Sequence, residues 1–195
     1  MCIRDRGWML GELVIVPERA AVPILATAEL TARAAQPRAA VSFPTLVPTI
    51  PARAVLRTDI LAYCDLPAFR AEANKVFRST DALSIYWTWF ARTAEQIRDH
   101  LDAATYEVQL ERKEGELWQL VRKLDDYDNY RTALTRAPNG RPEVRWFVPI
   151  GRLEPGEYRV SYRLTWSRRI EDGDKSFGPG GDEEINTGTC LFRVR

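Results

Sequence analysis

The sequence has one histidine, three cysteines and almost no net charge over 195 residues. Histidine is the usual general base and a common metal ligand, so a lone His100 argues against proton-shuttle and imidazole-metal chemistry. Near the end of a short helix, this side chain is expected to be solvent-exposed. Lys and Arg total 28 against 27 Asp and Glu, and this balance provides no field to attract nucleic acid. We predict no nucleic-acid partner and no cofactor.

Motifs for covalent catalysis are missing as well. The sequence contains no nucleophile elbow, phosphate-binding loop, Cys-x-x-Cys pair or metal-histidine motif. The sequence does not exclude a pair of catalytic carboxylates that come together only in the folded chain, as in glycosidases. We predict that the chain is not an enzyme.

The first third of the chain differs in character from the rest. Residues 1–6 resemble the translated remnant of a sequencing adapter, so we exclude them, with Cys2, from fold reasoning. Residues 8–30 are apolar but interrupted by charges and prolines, which makes a membrane span unfavourable. We interpret residues 1–33 as this artefact followed by a degraded signal or anchor, the alternative being a short amphipathic helix. Any membrane association is expected only through this segment.

Residues 34–60 form a region rich in proline, alanine and threonine. Four prolines between positions 37 and 51 stand too close together for a helix or a central strand. The composition favours an extended polyproline linker, with an ordered edge segment as the alternative.

Alternating apolar and polar residues predict strands in the remaining chain, residues 61–195. Tyr158 to Trp166 is the clearest case, and residues 144–150 repeat the same period just upstream. A turn at Leu153–Gly156 separates the two, so we predict that they pair as neighbours. The pattern is typical of antiparallel sheets with one solvated face, and the predicted fold class is all-β, an antiparallel sandwich.

Other segments fit the same architecture. Residues 106–110 and 117–124 predict a hairpin, and residues 85–90 carry bulky groups on both faces, as central strands do. Thr93 and Gln96 form a capping box that opens one short inserted helix. Residues 190–195 alternate again and predict a closing strand.

The closing half resembles a known group of domains. Leu153–Val160, followed by Tyr162, Trp166 and Asp172-Gly173, is similar to the last strands of bacterial extracytoplasmic immunoglobulin-like sandwiches, among them the periplasmic copper-resistance CopC family. The resemblance implies an immunoglobulin-like fold outside the cytoplasm. Where those proteins carry a copper-binding histidine after the Asp-Gly, this chain has Asp174, so the resemblance does not extend to copper.

Cys64 and Cys190 bracket the predicted sandwich. Because the ends of such a domain commonly lie close together, we predict a disulfide between them, with two buried free thiols as the alternative. A disulfide implies an oxidising compartment, and we expect a secreted or cell-surface protein.

The sequence contains two candidate ligand sites, and the residues of each could instead have a purely structural role. The aromatic residues of one strand, Tyr86, Trp87, Trp89 and Phe90, could stack on sugar rings if one face were exposed, although most should be core. The second site is a calcium loop built from Asp172, Asp174, Ser176 and Glu183, although Phe177 stands where such a loop needs glycine.

Taken together, these patterns predict a non-catalytic extracellular module that acts as a spacer or a protein-interaction domain. The alternative is a carbohydrate-binding module that uses exposed aromatic residues. The ligand would accordingly be a protein or a glycan.

Overall fold

A computed structural model describes residues 49–195. The predictions for residues 1–33, and for the linker up to residue 48, lie outside the described residues. The described chain is mostly β-structure with one α-helix. Its strands are β1 Asp59–Leu61, β2 Lys75–Phe77, β3 Leu83–Phe90, β4 Ala104–Glu114, β5 Leu117–Lys123, β6 Thr135–Arg136, β7 Pro142–Gly151, β8 Gly156–Trp166, β9 Ile170–Glu171, β10 Ser176–Phe177 and β11 Ile185–Val194, and its helices are α1 Ala94–Ala103 and the 3₁₀ turns Pro67–Glu72 and Tyr127–Tyr130.

Two sheets pack face to face around one hydrophobic core. The larger has the order β2-β11-β8-β4-β5 and the smaller the order β1-β3-β7-β6, while β9 and β10 form a separate small ribbon. Inward residues of both sheets are almost fully buried, for example Val160 and Leu164 from β8 and Trp87 from β3. The predicted sandwich of packed sheets is therefore confirmed at this level.

The sandwich is not purely antiparallel. β1 runs parallel to β3, and β2 runs parallel to β11. Both are three-residue strands at sheet edges. Such short parallel additions leave no alternation long enough to be read from a sequence, which is why the prediction missed them.

The predicted pairing between the strands on either side of Leu153–Gly156 is wrong. β7 pairs with β3 and β6, whereas β8 pairs with β4 and β11 in the other sheet. The segment between them is a crossover from one sheet to the other. Its form is stabilised by the Tyr158 hydroxyl, which donates to the carbonyl of Glu154 at 2.8 Å.

Other local predictions are confirmed. β4 and β5 form the expected hairpin, with Glu114 opposite Leu117 across a two-residue turn. β3 lies inside its sheet between β1 and β7. Helix α1 begins after Thr93, whose side chain accepts from the Gln96 amide while the Gln96 side chain accepts from the Thr93 amide.

The described part of the predicted linker contacts the smaller sheet. The amide of Ile50 donates to the Arg131 carbonyl at 2.7 Å. Arg53 forms two hydrogen bonds with the buried carboxylate of Asp59, and its guanidinium lies 3.8 Å from the centre of the Phe147 ring. Contacts of the sandwich thus begin before residue 61. No helix among residues 49–195 is long and apolar enough to cross a membrane.

Candidate functional site

The structure places Cys64 and Cys190 in a disulfide, with Cα atoms 4.8 Å apart. Cys64 follows β1 of the smaller sheet, and Cys190 lies in β11 of the larger one. Both are about 99% buried. The bond therefore links the two layers of the sandwich, and the predicted pairing is confirmed in its geometry.

The predicted aromatic platform is divided between core and surface. Trp87 is fully buried and stacks on Trp146, with ring centres 5.7 Å apart. Trp89 is partly buried, and Tyr86 is buried on the other face of β3, where it stacks on Phe147. Only Phe90 is exposed. These four side chains do not form one open surface for a sugar ring.

His100 was expected at the surface, and that expectation is wrong, because its side chain is fully buried. The Trp166 indole N–H donates to Nδ1 at 3.0 Å, which leaves Nε2 to carry the proton and donate to the Tyr106 hydroxyl at 2.7 Å. The ring also stacks on Trp89 at 3.9 Å. Burial lowers the pKa of His100 to about 3. A neutral imidazole with both nitrogens occupied is a packing element and is not available as a surface base.

The acidic side chains of the proposed calcium loop point to separate partners. Asp172 accepts from the amides of Asp174 and Lys175, and Asp174 pairs with Arg92 and Arg141. The Arg141 and Arg92 hydrogen bonds hold the pKa of Asp174 below its usual value.

The other two members of that loop are engaged elsewhere. Ser176 bonds to Asp182, and Glu183 accepts from Asn186 and lies near Lys175. Among residues 49–195, no group of three or more His, Cys, Asp or Glu side chains is arranged to hold a metal ion.

A site that sequence reasoning missed lies on the outer face of the larger sheet, at its β5 end. Trp118 is only partly buried there. The Arg159 guanidinium lies 4.7 Å from the centre of its ring and pairs with Glu111 at 2.8 Å. The Arg159 hydrogen bond is the main reason that the pKa of Glu111 is lowered.

A trough of about 370 Å³ adjoins Trp118 on this face. Val76 and Leu191 supply apolar lining, and both are more than 40% exposed. The charged lining consists of Glu157 with its two cations, Arg193 at 2.7 Å and Lys113 at 3.8 Å. The trough therefore combines an aromatic ring, aliphatic surface and charge.

Within residues 49–195, β5 and β2 are the two edge strands of the larger sheet. Three of its aliphatic side chains are exposed, Leu117 at 65%, Leu120 at 52% and Val121 at 49%. The other sheet edges, β1, β2 and β6, are only three, three and two residues long, against seven in β5. We call Leu117–Lys123 the β5 edge. A sequence signal for it existed, because the run Leu117, Trp118, Leu120, Val121 has too many apolar residues for a strand with one buried face.

No protein-family model matches this chain, and no curated protein matches it either. The function must therefore be argued from the geometry of the site.

Proposed function

We propose that the chain is a non-catalytic, extracytoplasmic β-sandwich module that binds a partner protein, which adds an extended strand along the β5 edge. The observation that carries the proposal is the β5 edge itself. Natural proteins usually shorten, charge or cover sheet edges, because unpaired N–H and C=O groups are a template for another strand. A seven-residue open edge with exposed Leu117, Leu120 and Val121 departs from that rule.

Strand addition would provide both affinity and selectivity for the partner. Backbone hydrogen bonds to β5 provide affinity for any extended chain, and side chains on alternate positions provide selectivity. Burial of the three aliphatic side chains adds to this at roughly 25 cal/mol per Å² removed from water. Within residues 49–195, β5 has no strand neighbour other than β4 to take up these groups.

The extracytoplasmic location is proposed because of the disulfide between Cys64 and Cys190. Structural disulfides persist in oxidising compartments and are rare in the cytosol. The immunoglobulin-like character remains part of the proposal. It is supported by the hydroxyl of Tyr158 near the start of β8, which bonds back to the Glu154 carbonyl as in the tyrosine corner of immunoglobulin-like domains. The resemblance to bacterial surface and periplasmic modules agrees with this location.

The test uses a display library of random heptapeptides panned against the immobilised protein. We expect the selected peptides to be rich in β-branched and aromatic residues and to protect the Trp118 and Leu120 amides from hydrogen exchange. Leu120→Lys should weaken their binding at least about tenfold, a loss of about 1.4 kcal/mol. Leu134→Lys is the matched control, because Leu134 is 49% exposed in the loop before β6. Selected peptides that bind Leu120→Lys and the parent protein equally would contradict the proposal.

A carbohydrate-binding module is the second candidate, and one observation favours it. Trp118 stands beside a trough lined by Lys113, Glu157 and Arg193, a combination of aromatic surface and polar groups suited to a sugar. We favour a protein ligand because the Arg159 guanidinium already lies against the Trp118 ring, where a sugar would have to stack. A polysaccharide panel followed by tryptophan fluorescence separates the two. Saturable quenching by one glycan, lost in Trp118→Ala and kept in Leu134→Lys, would overturn the preference for protein.

A further inference from the structure

The phase of the β4–β5 hairpin determines which backbone groups face the open side of the β5 edge. Its two-residue loop has Gly115 at φ +62, as a type II′ turn requires, between Glu114 and Leu117. The residues that flank such a turn form a hydrogen-bonded pair, and pairs then alternate along the ladder as far as Leu120, after which the register shifts between Leu110 and Glu111. Trp118 and Leu120 therefore occupy non-hydrogen-bonded positions opposite β4. Their N–H and C=O groups point away from it.

These groups have no partner within the described chain. No backbone hydrogen bond outside the ladder and no side-chain hydrogen bond reaches the N–H or C=O of Trp118 or Leu120 among residues 49–195. The edge is therefore open at two alternate residues, which is the spacing at which a new antiparallel strand would bond.

From this phase we infer that the partner strand at the β5 edge is β5 of a second copy of this chain, paired antiparallel about a twofold axis at Gln119. The inference rests on the proposed function and names its partner. Only residues with outward backbone groups can form hydrogen-bonded pairs across the axis, so Trp118 of one copy bonds with Leu120 of the other. The two larger sheets would then join into one continuous sheet, through an interface that uses the same surface on both copies.

The side chains in this register are complementary. Trp118 faces Leu120 of the second copy on each side of the axis, so apolar side chains meet in this pair, and the bulge that contains Val121 lies beyond it. Cross-strand pairs of apolar side chains stabilise the pairing of two strands. Every contact occurs twice because of the twofold axis.

The charged side chains at the ends of β5 are also complementary in this register. Glu116, in the hairpin turn, comes opposite the basic end of the second β5, Arg122 and Lys123. Glu116 and Lys123 form no ion pair within the described chain, while Arg122 is held by Asp126. The register thus places an unpaired carboxylate beside an unpaired ammonium group at each end of the strand pair.

Gln119 is the residue to change in a test, because the twofold axis places Gln119 of one copy opposite Gln119 of the other. Its side chain is exposed, so Gln119→Lys and Gln119→Glu should each leave the fold intact. Each variant alone places two like charges face to face, which is destabilising, whereas an equal mixture of the two places opposite charges together. The experiment is sedimentation equilibrium of the full chain over a dilution series, with thermal melts to confirm folding.

We expect the parent protein to dimerise reversibly, each Gln119 variant to dissociate with a Kd at least about tenfold higher, and the mixture to recover dimers that contain one of each. Thr80→Lys and Thr80→Glu are the controls, since Thr80 is exposed in the turn before β3, and both should dimerise as the parent does. A parent that stays monomeric, or a dimer unaffected by charge at position 119, would overturn the inference. If peptide binding were still lost in Leu120→Lys, strand addition at the β5 edge would be supported even though the dimer was not. A failure of the dimer can therefore be distinguished from a failure of the proposed function.

Discussion

Two tryptophans, one in a strand of each sheet, have different surroundings. Trp87 is fully buried between the sheets and stacks on Trp146, within a cluster that includes Tyr106 and Tyr162. Trp118 lies at the other extreme, on the outer face beside an open edge and under a single guanidinium. Residue type is the same at both positions. Position in the sheet decides whether the indole stabilises the fold or is available to a partner.

The buried region also contains side-chain donors that are buried without a hydrogen-bond partner. Trp166 donates a hydrogen bond to His100, but the indole nitrogens of Trp87, Trp89 and Trp146 have no hydrogen-bond acceptor among residues 49–195. Leaving a buried donor unpaired costs about 1–3 kcal/mol. Aromatic packing in this cluster must offset that cost, which the β5 edge does not incur.

The disulfide should give the largest effect. Replacing Cys64 and Cys190 by alanine removes a link across 126 residues of sequence separation. In the chain-entropy model, a loop of that size stabilises the fold by about 4–5 kcal/mol. Chemical denaturation of the double variant should show this loss, and adding a reductant should lower the midpoint of the parent but not of the variant. A variant as stable as the parent would show that the cross-layer link contributes little.

Truncating the two tryptophans is the direct test of the comparison. Trp87→Ala opens a cavity in a fully buried site and should cost about 3–5 kcal/mol. Trp118→Ala loses mainly the contact with Arg159 and should cost about 0.5–1 kcal/mol. Urea denaturation measures both. Equal losses would mean that the β5 end of the sheet is as tightly packed as the core.

Acid should destabilise the buried region through His100. Its folded pKa of about 3 lies below the unfolded value of 6.5, so the unfolded chain binds more protons between these pH values. Stability is therefore complete above about pH 6.5 and falls as pH decreases, by up to about 1.4 kcal/mol per pH unit.

A pH series of denaturation midpoints checks this dependence. His100→Gln serves as the comparison, because it keeps a polar side chain without an imidazole. The slope between about pH 6.5 and 5 should flatten in that variant, since carboxylates titrate mainly below this range. An unchanged slope would assign the acid sensitivity to other groups.

Calcium should have the smallest effect. Asp172 and Asp174 already accept from backbone amides and arginines, so a calcium ion would have to displace existing partners. Melting curves with calcium and with a chelator should superimpose. A rise of several degrees with calcium would reveal binding to the folded state and would restore the loop as a site.

Local sequence determined much of the architecture. The alternation in residues 158–166 predicted β8, the capping box predicted the start of α1, and residues 106–110 and 117–124 predicted the β4–β5 hairpin. Each of these signals depends on residues a few positions apart, because side-chain periodicity and turn conformation are local properties. The cysteine pair was also predictable, since few alternatives remained.

Tertiary structure alone decided which strands are neighbours and which apolar side chains are left uncovered. Leu153–Gly156 resembles a hairpin turn but crosses between sheets, and His100 at a helix end is enclosed by Trp89, Tyr106 and Trp166. Likewise, the apolar run in β5 does not indicate by itself that no strand among residues 49–195 covers its outer edge. These outcomes depend on contacts between residues far apart in sequence. Burial is a property of the assembled layers, so the same indole side chain can be core at position 87 and surface at position 118.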